Sequence, residues 1–269
     1  MDAKSLRVLW ITLLSFAIYF VLDDLYFHSL RKWINEYINQ IGVSHIITYS
    51  VFGIPLLLGS LLIHHFRNLL SSLGLNGSLA KGFLFPLLCT LPMLIGYAIV
   101  FEFNPEINLS LILISAVSAA FFEELYFRGF LFGQLYRFTQ LGFLPSILLG
   151  AIVFALIHLY QSQDPLTLLG IFLTTFLGAI LFAWLYAEWN FNIWIPIFLH
   201  LFMNLFWMMF SAGENALGGV YSNVFRILTI VLAIVLTILY KRKKGMKLEV
   251  TKSTLWMKKR EILIERSAG

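Results

Sequence analysis

Charge is scarce in this chain. Of its 269 residues only 12% are Asp, Glu, Lys or Arg, against roughly a quarter in an ordinary soluble domain. One soluble core of this length cannot hide the apolar surface that remains, so a soluble globular protein is excluded. Cysteine is rarer still. Cys89 stands alone, which excludes a disulfide scaffold. Low-complexity and repeat segments are missing, which excludes disorder and fibrous architectures. HExxH, GxSxG and GxGD are all absent. The helix of most zinc peptidases and the serine nucleophile elbow therefore have no support.

What is present is apolar. Hydrophobic residues make up 59% of the chain, and the mean hydropathy is +0.84. Runs long enough for a hydrocarbon core of about 30 Å predict helices near 6–27, 46–65, 83–101, 109–137, 143–161, 166–187, 192–212 and 223–240. The expected fold class is all-α, a polytopic membrane bundle of about eight transmembrane helices. Its organisation reads as 1–108 for the first three helices and 109–212 for a catalytic core of helices four to seven. The last helix follows at 213–240, then a basic cytoplasmic tail at 241–269. The polar segment 28–45, with spaced aromatics, is expected along the interface.

Splitting the net charge of +5 locates it: residues 241–269 carry +7 and the rest of the chain −2. Lys4, Arg7, Arg67, Lys81, Arg137 and the tail collect on one side of the predicted topology. The loops near 102–108, 162–165 and 213–222 hold no Lys or Arg. Both termini are therefore expected in the cytoplasm, with the tail resting on anionic head groups. The first span lacks a cleavage-site pattern and reads as a retained anchor. No folded basic domain accompanies the charge, so nucleic acid is not an expected partner. Short loops and a compact chain read as a bacterial cell-membrane protein. Its partners are the lipid bilayer and a hydrophobic or lipidated peptide.

Ionisable groups within hydrocarbon are costly and mark pathways or catalytic sites. Three places qualify: Glu123, Glu124 and Arg128 in FFEELYFRGF; His158 in FALIHLY; and His200 with Asn204 in FLHLFMNLF. Glu124 and Arg128 are four apart and share a helix face, which allows an ion pair. Glu123 lies about 100° further round, free to face the bundle. Phe154 with His158, and His200 with Asn204, repeat the i,i+4 spacing. Singly, an intramembrane His or Asn is often interhelical glue. Three such stripes with a second carboxylate favour a site.

The chemistry such a set supports is hydrolysis. A buried carboxylate beside an imidazole can take a proton from water, and a second His with an Asn amide can donate to an oxyanion. Glu123, His158 and His200 could alternatively hold Zn²⁺ as a three-ligand site. Spacing alone leaves that choice open.

These residues resemble a known family. EELYFR (Glu123, Glu124, Arg128) is similar to the EExxxR motif of the CAAX protease and bacteriocin-processing (Abi) family. FALIH (Phe154 to His158) is similar to its FxxxH motif, and HLFMN (His200 to Asn204) to its HxxxN/D motif, all in the family's order. The resemblance covers about residues 110–210. It implies a glutamic-type intramembrane endopeptidase in which Glu123 and His158 activate water and His200 and Asn204 line the oxyanion site. Glu124, Arg128 and Phe154 are then supporting residues. It implies a metal-free mechanism in preference to a zinc-dependent one, so no cofactor is expected. The alternatives are a non-catalytic immunity or scaffold protein with the same fold, and a proton- or cation-coupled transporter.

Several polar residues read as interfacial or loop chemistry. These are Asp23 and Asp24 with His28, His64 and His65 beside Arg67, Asp164 before Pro165, and Glu188 after the sixth span. Cys89 reads as a small core residue.

Overall fold

The computed structural model describes residues 1–258. Lys259, Arg260 and Arg266 of the basic tail lie outside the described residues. Helices dominate the described chain: α1 (Ala3–Ile38), α2 (Ile41–Phe52), α3 (Ile54–Ile63), α4 (Leu79–Val100), α5 (Leu109–Phe138), α6 (Phe143–Leu156), α7 (Pro165–Glu188), α8 (Trp194–Met209) and α9 (Val220–Lys243). Helices α2 and α3 form one span, interrupted at Gly53 just before Pro55. Among the described residues seven helical segments are long and apolar enough to cross a membrane, and α8 is a shorter apolar helix beside them. The bundle is an all-α polytopic membrane protein.

Local chemistry sets the helix starts. The side chains of Asp2, Ser78, Asn108 and Asp164 each accept a backbone N–H three residues on, the arrangement that satisfies a first-turn donor. Pro165 follows Asp164 at the first helical position, where its missing N–H costs nothing. Thr167 donates to Asp164 from both backbone and hydroxyl, which holds that exposed carboxyl below its usual range.

Two expectations are corrected. Residues 28–38 do not form a separate interfacial segment. They continue α1 without a break as far as Ile38, and the chain turns at Asn39 in a left-handed conformation (φ 51°) before α2 begins at Ile41. At 1.5 Å per residue, α1 runs about 54 Å, well beyond a hydrocarbon core of about 30 Å. The described part of the tail does not lie free on lipid. The backbone N–H groups of Gly142, Phe143 and Leu144 donate to the carbonyls of Trp256, Thr254 and Leu255. The buried Lys258 ammonium donates to the Tyr136 carbonyl.

The same strap corrects the reading of Glu188. That carboxylate is buried at the end of α7. It pairs with Lys241 of α9 and accepts the backbone N–H groups of Glu249 and Val250 at 2.9 and 3.0 Å. Three donors on one buried carboxylate tie α7, α9 and the tail together.

Helix α8 runs between α4 and α5, and α9 lies against α4. Gly96 makes the last contact possible: a Cβ there would fall 2.2 Å from the Phe225 ring. Helices α6 and α7 pack as a pair on the other side of α5. Alternating helix direction gives the bundle two ends. The terminal face carries Lys4, the 64–78 and 139–142 turns and the strap. The far face carries the 101–108, 157–164 and 210–219 loops. Far-face loops bind one another, with Asn104 N–H donating to Met209 O and Ala216 N–H to Gln161 Oε1.

Candidate active site

Helix α5 supplies the acids. Over Leu113–Phe132 its winding is of the π type rather than the expected α type, a rare conformation found frequently at functional sites. Wider winding advances less per residue. It also changes the angular offset of Glu123 from that of an α-helix. Glu124 and Arg128 pair as expected, Oε1 to Nη1 at 3.2 Å, and both side chains are fully buried.

The pair is not isolated. The same Glu124 oxygen lies 2.8 Å from His200 Nδ1 on α8. Arg128 rests over two rings, 4.4 Å from the Phe154 centroid and 5.6 Å from that of Phe182. Phe154 thus supports the guanidinium with its face. Its backbone carbonyl does a second job, taking the Nδ1 proton of His158 at 2.6 Å. That bond fixes the tautomer and leaves Nε2 as the ring's free acceptor.

His158 lies beyond the end of its helix, although the expected span reached residue 161. Helix α6 ends at Leu156, and His158 stands at the start of the following turn. Asn204 donates one amide hydrogen to the Ser115 carbonyl at 2.9 Å and keeps the other.

Glu123, His158, His200 and Asn204 all line one cavity of about 1110 Å³. No hydrogen bond or ion pair joins Glu123 to His158, and the Glu123 Oε2 atom is buried without a partner. The four residues expected to act on substrate therefore share one chamber. Of the supporting three, Phe154 lines the chamber too, whereas Glu124 and Arg128 are fully buried and do not. The triad required by a zinc site fits less well. His200 already spends Nδ1 on Glu124. Among the described residues, no three His, Cys, Asp or Glu side chains stand close enough together to hold a metal ion.

The cavity also takes in His45, Tyr49, Glu214 and Arg226, none of which sequence reasoning brought to the site. His45 closes the segment 28–45 expected along the interface, next to the apolar run that begins at Ile46. Arg226 falls near the start of the expected span 223–240, and its guanidinium is folded onto the carbonyls of Ala216 and Leu217. Asp23 is not simply solvated either: one of its oxygens is buried without a partner.

An apolar helical bundle with a buried acid–imidazole cluster opening into an internal chamber defines a polytopic membrane protein with a site suited to hydrolysis. Residues 105–206 match the family model of the type II CAAX prenyl endopeptidase Rce1-like proteins. The match takes in all three motifs and supports the CAAX-protease resemblance, and with it a CAAX-type intramembrane endopeptidase in general terms. No curated protein and no solved structure matches the chain.

Proposed function

We propose that this chain hydrolyses a peptide bond of a hydrophobic or lipidated substrate with water activated by Glu123 and His158. The observation that carries the reading is that Glu123, whose Oε2 is buried without a partner, lines the same chamber as His158. A buried carboxylate with no structural bond of its own, but with space beside an imidazole, is placed to take a proton.

Water held between the two attacks the scissile carbonyl carbon and gives its proton to Glu123. The oxyanion that forms accepts from the free Asn204 amide hydrogen, beside the His200 ring that Glu124 holds in place. The C–N bond then breaks, and the proton held by Glu123 passes to the leaving amine. Arg128 and Phe154 hold Glu124, and so His200, in place. No step is routed through a metal ion.

The test compares peptide termini in cells making the wild type with those making Glu123→Gln, matched for membrane abundance. Termini found only with the wild type are expected, and they name the substrate. Identical sets of termini would overturn the reading in favour of a scaffold or immunity protein.

A further inference from the structure

Helix α2 holds two chamber residues that the hydrolytic steps leave unused. His45 and Tyr49 both line the cavity, and four positions apart they share one face of the helix. Their rings meet edge to face, with centroids 5.1 Å apart. Phe27 of α1 packs on both, 5.0 Å from His45 and 4.7 Å from Tyr49. Tyr49 also stacks on Phe122, the residue before Glu123, at 5.2 Å and 12°. The backbone is fixed as well, because the Tyr126 hydroxyl of α5 donates to the Tyr49 carbonyl at 2.7 Å. Gly53 permits that approach, since a Cβ there would collide with the Tyr126 hydroxyl.

Each of these fixed rings keeps a spare donor. The Arg31 guanidinium, which can only donate, lies 3.3 Å from His45 Nδ1. Nδ1 is therefore the acceptor, and the ring proton sits on Nε2. Arg31 is held in turn, over the Phe27 ring at 5.9 Å and against His28 Nδ1 at 3.3 Å. Among the described residues neither the His45 Nε2–H nor the Tyr49 O–H has a hydrogen-bond partner. Four residues of helix rise about 6 Å. Carbonyls on one side of an extended chain recur every second residue, about 7 Å apart. Two rigid donors at that interval match two same-side carbonyls of an extended peptide.

We infer that α2 is a peptide-binding rail, on which His45 Nε2–H and Tyr49 O–H hold two alternate backbone carbonyls of the substrate. This rests on the peptidase reading above and names the substrate class for that site: an unwound, extended segment recognised through its main chain. An intact helix does not fit, because its carbonyls are already bonded along the helix axis. Rings that are packed in place before the peptide arrives lose little freedom when it binds. Main-chain recognition is indifferent to the peptide's side chains. The two donors grip substrate and transition state alike, so they act on KM and leave kcat as it is.

The test uses the full chain in detergent and a peptide digest of cell membranes. Peptides that the wild type cleaves are synthesised singly and offered to Tyr49→Phe and His45→Phe, which keep a ring and remove the donor. Each variant is expected to raise KM about fivefold, the effect of one neutral hydrogen bond. The factor should be the same for peptides of different sequence, with kcat unchanged. Should His45→Phe fail to fold, Tyr49→Phe carries the test, because its hydroxyl bonds to nothing in the fold. An unchanged KM, a loss confined to kcat, or a factor that follows one side chain overturns the inference and leaves the peptidase reading standing. A wild type that cleaves nothing in the digest sinks the peptidase reading instead. The rail is then read by binding to the immobilised chain. Retention of digest peptides that weakens in Tyr49→Phe upholds it, and equal retention or none overturns it.

Discussion

His200 Nδ1 lies 2.8 Å from Glu124 Oε1, the same oxygen that faces Arg128 at 3.2 Å. One carboxylate of α5 thus sets the orientation of an imidazole on α8 while neutralising a buried guanidinium on its own helix. Glu124→Gln keeps the shape but removes the charge. Cleavage is expected to fall about 10²–10³-fold as the His200 ring beside the oxyanion loses its alignment. Stability should fall by about 3–5 kcal/mol, because Arg128 is left buried and uncompensated. Terminal-peptide yield and thermal unfolding in detergent check the two effects separately.

Glu123 should behave in the opposite way. Its Oε2 atom makes no hydrogen bond, so Glu123→Gln removes no structural contact at that atom. The unfolding temperature in detergent is expected to stay at the wild-type value while cleavage drops about 10²–10⁴-fold. A large loss of stability in this variant would mean that Glu123 is structural.

Two glycines separate chamber space from a packing contact. Gly178→Trp projects into open cavity space, so the protein should reach the membrane in normal amounts. Its yield of wild-type-dependent termini should fall at least about tenfold, as expected when space in the chamber is filled. Gly96→Leu collides with Phe225 instead. Membrane abundance itself should drop, through the overpacking penalty of about 1–3 kcal/mol.

The strap makes a prediction of its own. Lys241→Met leaves Glu188 buried with only its two backbone donors. Hydrogen exchange at the Glu249 and Val250 amides should accelerate markedly, since breaking one side of a buried ion pair costs about 3–5 kcal/mol. Pairing it with Glu188→Gln should restore much of the protection.

His64 gives a pH signature. Burial lowers its pKa below the ordinary value, opposed in part by the hydrogen bond to Gln134 at 2.7 Å. The unfolded chain therefore binds the proton first as pH falls through about 6.5. Stability is full above that pH and declines below it until the folded ring is also protonated. His64→Gln should flatten the dependence of unfolding temperature on pH over that window.

The apolar runs, the motif spacings and the placement of Lys and Arg are properties of consecutive residues. They made the bundle, the eight helical stretches, and Glu123, Glu124, Arg128, His158, His200 and Asn204 legible without coordinates. Glu124 and Arg128 pair within one helix, so periodicity reached them directly. The His200–Glu124 bond spans 76 positions and depends on α8 packing against α5, which no local pattern encodes. The same holds for Phe154 under Arg128, for His45 and Arg226 in the chamber, and for Glu188 holding the tail. A solvated basic segment and a docked strap have the same composition. Only tertiary packing, by supplying a buried carboxylate and a line of free backbone donors, decides between them.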